Sequence, residues 1–288
     1  MLPSVVVDTL EGTLLDGRYR VGARIGSGGM SVVYQAEDLR LSRKIALKLI
    51  EGTSSDALVE RLFREARAAA RADHPAVVTV FAYGTDSATG VHYLAMERLE
   101  GEDLAARIAR ERPLPIEFVL RLGTEIADAL AAVHATGVVH RDLKPSNVFL
   151  ARRGLRVDDV KLLDFGVAKQ LDLQTLTAPG QVIGTIAYMA PEQLLDAKRV
   201  DNRSDLYALG AVLFECLVGK PPFKGNSITE ITTKILYDEP DRISAFRSDL
   251  PADVAVIIER CMSRRMRDRY ASALQLQEAL LAARGAFG

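Results

Sequence analysis

Between the apolar runs VV (138–139) and VFL (148–150), the segment HRDLKPSN holds Arg141, Asp142, Lys144 and Asn147. The flanks read as short buried strands. Charges beside a core are costly unless they are paired or used. Used together, these groups suit phosphoryl transfer. Asp142 can orient an attacking hydroxyl and accept its proton. Lys144 can offset charge on the transferred group, and Asn147 can offer an oxygen to a metal. Arg141 is left to meet something negative from outside the segment. A second stretch, VKLLDFGVAK (160–169), ends a buried-type strand in Asp164. A carboxylate beside a carboxamide is a hard-oxygen pair, and Mg²⁺ is usually held by one or two such groups, with phosphates and waters completing its shell. Taken singly, each segment is explained as well by a satisfied turn.

Two further features point the same way. IGSGGMSVV (25–33) sets Gly26, Gly28 and Gly29 between two strands. Glycines let backbone amides approach a phosphate with no Cβ in the way. A dinucleotide fingerprint needs a helix after the glycines, whereas here the β-branched run Val32-Val33 leads into Tyr34, which implies a two-stranded lid. In KIALKLI the period is two, so Ile45, Leu47 and Leu49 share one face and Ala46, Lys48 and Ile50 the other. Lys48 is thus an isolated cation in mid-strand. In the helix that follows, Leu58, Leu62, Glu65 and Ala69 form one stripe. A misplaced cation and a misplaced anion make sense as a pair that fixes Lys48 toward phosphate oxygens.

The elements that must position these groups follow from pattern. From Gly17 to about Tyr93 the text is strand-rich with one helix, at 56–72. After Leu99 it turns helical, beginning with LAARIARE (104–111) and EFVLRLGTEIADALAAVHATG (117–137). Short strands are expected at Val138, Val148 and Val160, and ARRGLRVDD before the last of these reads as a surface turn. A long loop is expected from Lys169 to Thr185, and helices over most of 205–283. Residues 1–16 read as a leader. The joint falls near Glu97–Gly101, and ligands favour such joints.

The totals bound the class. The chain has 288 residues, a net charge of −1 and 48% hydrophobic content, enough for two lobes with sizeable cores. The neutral balance argues against generic nucleic-acid binding. Cys216 and Cys261 are the only cysteines and read as reduced packing residues. The histidines (74, 92, 134 and 140) show no metal-ligand spacing. No apolar run approaches the roughly 18 residues of a membrane span, and the N-terminus lacks the basic region of a signal peptide. The expected location is cytoplasmic, with room for a membrane anchor in a longer parent chain.

With these residues in view, the sequence resembles the eukaryotic-type protein kinases, in particular their bacterial Ser/Thr branch. The resemblance runs from about Tyr19 to Leu281. It rests on GSGGMSVV, the Ala-x-Lys of IALK, Glu65, HRDLKPSN, DFG, GTIAYMAPE and the DLYALG that begins at Asp205; this set, in order, is highly specific. It implies an α+β, bilobal protein kinase fold, with a small β-rich N-lobe holding one main helix and a larger helical C-lobe. The implied boundaries are a leader at 1–18, the N-lobe at 19–98, the C-lobe at 99–283 and a tail at 284–288. The implied cofactors are ATP and Mg²⁺ (or Mn²⁺).

The resemblance also implies roles. Ile25, Gly26, Ser27, Gly28, Gly29, Met30, Ser31, Val32 and Val33 cover ATP. Lys48, paired with Glu65, contacts its phosphates. Ala46, Val33 and Phe149 sandwich the adenine, Met96 is the gatekeeper, and the backbone of Glu97 and Leu99 meets the ring edge. Asp142 is the catalytic base, assisted by Lys144, and Asn147 and Asp164 hold the metal. Glu192 pairs with Arg269, and Asp205 supports the catalytic loop from beneath. The sequence departs from the family pattern at Ser31, which replaces the third glycine, and at Tyr207, where many members have tryptophan.

Lys144 and Thr185 resemble those of Ser/Thr rather than Tyr kinases, so the implied partners are proteins with Ser or Thr acceptors. Arg141 beside the base resembles kinases controlled through the activation loop, where Thr175 and Thr177 lie. Autophosphorylation there is expected, with self-association as its route in trans. Asp103 is open between ribose binding, selection of a basic substrate residue and a plain helix N-terminal carboxylate. Two other functions share parts of this pattern. A nucleotide-binding module without turnover usually lacks the strand lysine, the base or the metal aspartate, and Lys48, Asp142 and Asp164 are all present. A small-molecule phosphotransferase usually lacks the APE segment and the Thr185 loop, and this chain has both.

Overall fold

The computed structural model describes residues 10–28, 31–50, 63, 71–154, 156–164, 181–196 and 199–285. They divide into two compact units, one comprising residues up to 70 and 78–100, the other 71–77 and 101 onward.

The first unit is built on a six-stranded antiparallel sheet, ordered β1-β2-β3-β4-β6-β5. The strands are β1 (Leu14–Leu15), β2 (Tyr19–Gly28), β3 (Ser31–Asp38), β4 (Arg43–Ile50), β5 (Val80–Thr85) and β6 (His92–Glu97). The period-two reading of β4 holds. Ile45, Leu47 and Leu49 are each 0% exposed and join Tyr19, Val21, Tyr34 and Tyr93 in one core. Residues 10–16, expected in a leader, are integral to this unit. Leu10 and Leu15 enter the core, and β1 pairs with β2. The Asp16 carboxylate accepts the Tyr93 hydroxyl at 2.6 Å, and its N–H donates to Asp86 at 2.8 Å. So few apolar positions carry no period; the ladder to β2 defines this strand, and partners 70 and 77 positions away hold Asp16 just after it.

The second unit carries a three-stranded antiparallel sheet of β7 (Gly101–Asp103), β8 (Val148–Arg153) and β9 (Arg156–Leu162). Its helices include α1 (Leu104–Glu111), α2 (Ile116–Ala135), α3 (Gln181–Ile186), α4 (Pro191–Leu195), α5 (Asn202–Val218), α6 (Ile228–Tyr237), α7 (Ala252–Cys261) and α8 (Ala273–Gly285). Helix α5 is buried on nearly all sides from Ser204 to Leu217, as an internal helix must be if it is apolar all round. Cys216 and Cys261 are buried free thiols. Burial pushes the Cys261 thiol up to about 12. No helix among the described residues is long and apolar enough to cross a membrane.

Four local expectations are corrected. Val138 is buried but belongs to no strand, because the amides after it bond to a side chain instead of a neighbouring strand. The stretch 151–159 is mostly ladder, a hairpin of β8 and β9 closing at Arg153 and Arg156. The loop expected to reach Thr185 gives way to α3 at Gln181. The run VVTVFAYGTD (77–86), which reads as a strand from Val77, forms one only from Val80 to Thr85, and Val77 instead makes a parallel bridge with Leu162. Of the helix expected at 56–72, only Phe63, which is helical, and Arg71 and Ala72, a turn and a bend where helix was expected, lie among the described residues.

Candidate active site

The segment 140–142 of the second unit is held from α5. Asp205, 1% exposed, accepts the backbone N–H of His140 at 2.7 Å, that of Arg141 at 2.8 Å and His134 Nε2–H at 2.8 Å. Burial pushes its carboxyl up, yet the hydrogen bond from His134, the nearby His134 and His140 rings and the Arg141 N–H outweigh this and hold it below the ordinary aspartate value. His140, fully buried as expected, links the two chemical segments. Its Nδ1 accepts the Asp142 N–H at 3.3 Å, and its Nε2–H donates to the Leu163 carbonyl at 3.0 Å, one residue before Asp164. Arg141 takes the left-handed φ of +64°. Its Nε is buried with no hydrogen-bond partner among the described residues.

Asp142 lies at the centre of a polar cluster. Its Oδ2 is 3.1 Å from Lys144 Nζ and accepts Asn147 Nδ2–H at 3.0 Å. The same Asn147 nitrogen donates to the Asp142 carbonyl at 2.8 Å. With both amide hydrogens committed, the carboxamide oxygen is the end left to act as acceptor. Lys144 Nζ also reaches Thr185 Oγ1 at 3.3 Å. Asn147 occupies a 3₁₀ turn (Pro145–Asn147), and its carbonyl accepts the Leu163 N–H at 2.9 Å. That bond ties the Asn147 turn to the residue before Asp164, which is exposed at φ +46°.

The segment after Thr185 is anchored by Glu192 and Arg269, which form the expected pair as a buried bidentate bridge at 2.7 and 2.9 Å. Ser204 donates to the same carboxylate at 2.6 Å. The Arg269 guanidinium lies 4.9 Å from the centre of the Tyr207 ring, so tyrosine here keeps an aromatic face against the cation. Asp103 caps α1, accepting the Ala106 N–H at 2.8 Å, which is the plainest of its expected readings. Phe149 is half-buried in β8, opposite Lys161 and Asp103.

In the first unit the glycine turn joins two antiparallel strands. Gly26 pairs with Val33, Ser27 with Val32 and Gly28 with Ser31. Ile25 before them is half exposed. Lys48 is half-buried in β4 between Ala46 and Ile50, and its register partners are Val33 and Leu94. Met96 pairs with Ala46. The Glu97 N–H donates to the Thr79 carbonyl, and its side chain accepts the Thr79 N–H at 2.8 Å. Leu99, two residues past Glu97, lies beyond the end of β6. Gly29, Met30, Glu65, Phe165, Gly166, Thr175 and Thr177 lie outside the described residues.

Three polar relationships escaped the sequence reading. His134 supports Asp205. Tyr188 donates to Glu215, whose carboxyl burial raises. Gln193 bonds to both Arg141 and Ala190. Only Gln193 left a sequence signal, a glutamine three residues after Ala190, the cap position just before Pro191.

This sheet-rich unit, this helical unit and the Asp142 cluster define a protein kinase. The chain belongs to the protein kinase domain family, whose model matches residues 19–281. It is 38% identical to the serine/threonine-protein kinase PknL of Mycobacterium tuberculosis over 272 residues, covering 93% of this chain and 66% of that protein. It is 39% identical to the serine/threonine-protein kinase pkn3 of Myxococcus xanthus over 274 residues, covering 92% of this chain and 50% of that one. The chain thus spans one half to about two thirds of the length of these relatives. The crystal structure of the M. tuberculosis PknI kinase domain matches with a TM-score of 0.75 at 29% identity, covering 96% of this chain and 98% of that one.

Proposed function

We propose that this chain is a protein serine/threonine kinase that transfers the γ-phosphoryl group of ATP to Ser or Thr hydroxyls of proteins. The observation that carries the reading is the Asp142 carboxylate held between Lys144 Nζ and Asn147 Nδ2, with Lys144 also on Thr185. Asp142 orients the acceptor hydroxyl and takes its proton as the oxygen forms the new bond to the γ-phosphorus and the bond from that phosphorus to the β–γ bridging oxygen breaks, with ADP as the leaving group. Lys144 meets the negative charge on the group in transfer. The donor set suits a hard divalent cation, since Asn147 has its oxygen free of the Asp142 contacts and Asp164 offers an exposed carboxylate. Bound Mg²⁺ (or Mn²⁺) supplies neutralisation of the ATP phosphate charge.

Nucleotide contacts fall to Ile25 through Val33, to Lys48 with Glu65, and to Ala46, Met96, Glu97, Leu99 and Phe149. The half-buried place of Lys48 between Ala46 and Ile50 on its strand face supports its part. Control falls to Thr175 and Thr177, with the Arg141 side chain receiving a phosphate placed there. Thr185 and Glu192 shape the substrate segment. The test is γ-phosphate transfer from Mg-ATP to the chain itself and to a generic protein substrate, beside Asp142→Asn. Transfer by the wild type alone supports the reading. No transfer by the wild type, with or without prior phosphorylation by another kinase, refutes it.

A further inference from the structure

Arg141 holds a left-handed φ of +64°, a conformation non-glycine residues keep only where the surroundings over-determine it. Both of its backbone polar groups are held. The N–H donates to Asp205 Oδ1 at 2.8 Å, and the carbonyl accepts Gln193 Nε2–H at 2.9 Å. The peptide joining Arg141 to Asp142 is therefore gripped at both edges, because the Asp142 N–H is on His140 Nδ1. Gln193 is itself well fixed. It follows Glu192, which Arg269 and Ser204 hold, and its Oε1 accepts the Ala190 N–H at 3.0 Å. A carboxamide suits this place because one end donates to a carbonyl while the other accepts from an N–H.

We propose that Gln193 is a positioning residue for catalysis: its carboxamide sets the Arg141–Asp142 peptide plane, and with it the direction of the Asp142 carboxylate, and couples both to Ala190 at the entry of α4. The inference rests on the reading of Asp142 as the base. It implies that a shift of the Ala190 segment reaches Asp142 through one side chain.

Two variants of the whole chain test it. Gln193→Leu removes both bonds. Gln193→Glu keeps an acceptor for Ala190 but, while ionised, has no hydrogen for the Arg141 carbonyl; protonated, it regains one. Peptide phosphorylation near pH ~8 should lose about 10- to 100-fold in kcat in both variants, the scale of a slightly misplaced catalytic group, with the KM for ATP almost unmoved. Lowering the pH toward about 5.5, where a Glu begins to protonate, should recover part of the loss in Gln193→Glu relative to wild type and none of it in Gln193→Leu. Amide exchange in the peptide 138–146 should quicken in Gln193→Leu, with α5 unchanged. Wild-type kcat and unchanged exchange in Gln193→Leu would overturn the proposal. So would equal losses in both variants at every pH that track a lowered melting temperature. If the wild type transfers no phosphate, the kinase reading fails by itself, and the exchange measurement still decides whether Gln193 sets the 141–142 peptide.

Discussion

The Asp205 carboxylate accepts the backbone N–H of Arg141 at 2.8 Å across 64 positions of sequence. With the His140 N–H and His134 Nε2–H on the same group, one buried anion orders the segment before Asp142. Asparagine at this place offers one acceptor oxygen and turns an NH₂ toward donors. Asp205→Asn should therefore cost about 3 kcal/mol of unfolding free energy, read by denaturant titration. Turnover should fall with it.

The sign of the pH dependence follows from the depressed carboxyl. Its folded-state value lies below the ordinary aspartate value of 3.8, so its stabilising share is fully present above that value and is lost as pH falls through the folded-state one. The stability gap between wild type and Asp205→Asn should be constant from neutral pH to about 5 and shrink on further acidification. A gap unchanged down to the acid unfolding limit would place its origin in shape rather than charge.

Asp142→Asn keeps the size of the side chain and removes the proton acceptor. Turnover should drop by about 10²- to 10⁴-fold, the range for loss of a general base, while nucleotide affinity measured by calorimetry stays close to wild type. Comparable turnover in the variant would remove Asp142 from the role of base.

Where a local period or a local spacing carried the information, the sequence was readable. The alternation of KIALKLI placed Ile45, Leu47 and Leu49 in the core, and LAARIARE runs as α1 over the residues expected. What escaped depends on partners distant in sequence. The run at Val138 has strand composition, but the next two amides go to Asp205, and Arg141 turns left-handed. Leu10 and Leu15 are too few for a period, yet both are buried. At the site, Asp142, Lys144 and Asn147 were singled out by residue type, and the structure brings the three together. Gln193 and His134 act by holding backbone or side-chain groups elsewhere, which residue type alone does not reveal.

Glu192 and Arg269 form a buried bridge with no water-facing fallback, since the Arg269 side chain is 0% exposed. Removing one partner leaves the other charged and buried. Glu192→Gln or Arg269→Met should each cost about 3–5 kcal/mol. In the double variant the loss should be smaller than the sum, because no orphan charge remains. Additive losses in chemical denaturation would show that the two residues act independently.

Gly101 opens β7 at φ +144°, with the Leu150 carbonyl oxygen 2.1 Å from where a Cβ would stand. That oxygen belongs to the β8 backbone and has no side-chain freedom with which to move away. Gly101→Ala must shift one strand or the other, at a cost of about 2–4 kcal/mol from strain and a weakened ladder. The variant should melt lower, and amide exchange in 148–153 should quicken. Gly137→Ala, also at positive φ but with nothing within 4 Å of the added carbon, serves as the comparison; it should lose only the smaller cost of the backbone conformation.

In the proposed function, control through the activation loop would turn on Arg141. Its side-chain Nε is buried with no hydrogen-bond partner among the described residues, an expensive state for a guanidinium group. A phosphate on Thr175 or Thr177 would bring roughly −1.5 to −2 charges and strong acceptor oxygens. Mass spectrometry of protein incubated with Mg-ATP should find phosphate at one or both positions, and none in Asp142→Asn. The double Thr→Ala variant should lose about 10-fold or more in turnover, as expected when an ordering charge is withheld. Arg141→Ala should cancel the gain that phosphorylation brings, so that its phosphorylated and unphosphorylated forms run at the same rate. If the double variant keeps full activity, the Arg141 side chain serves another anion or none, and control of this kinase lies outside Thr175 and Thr177.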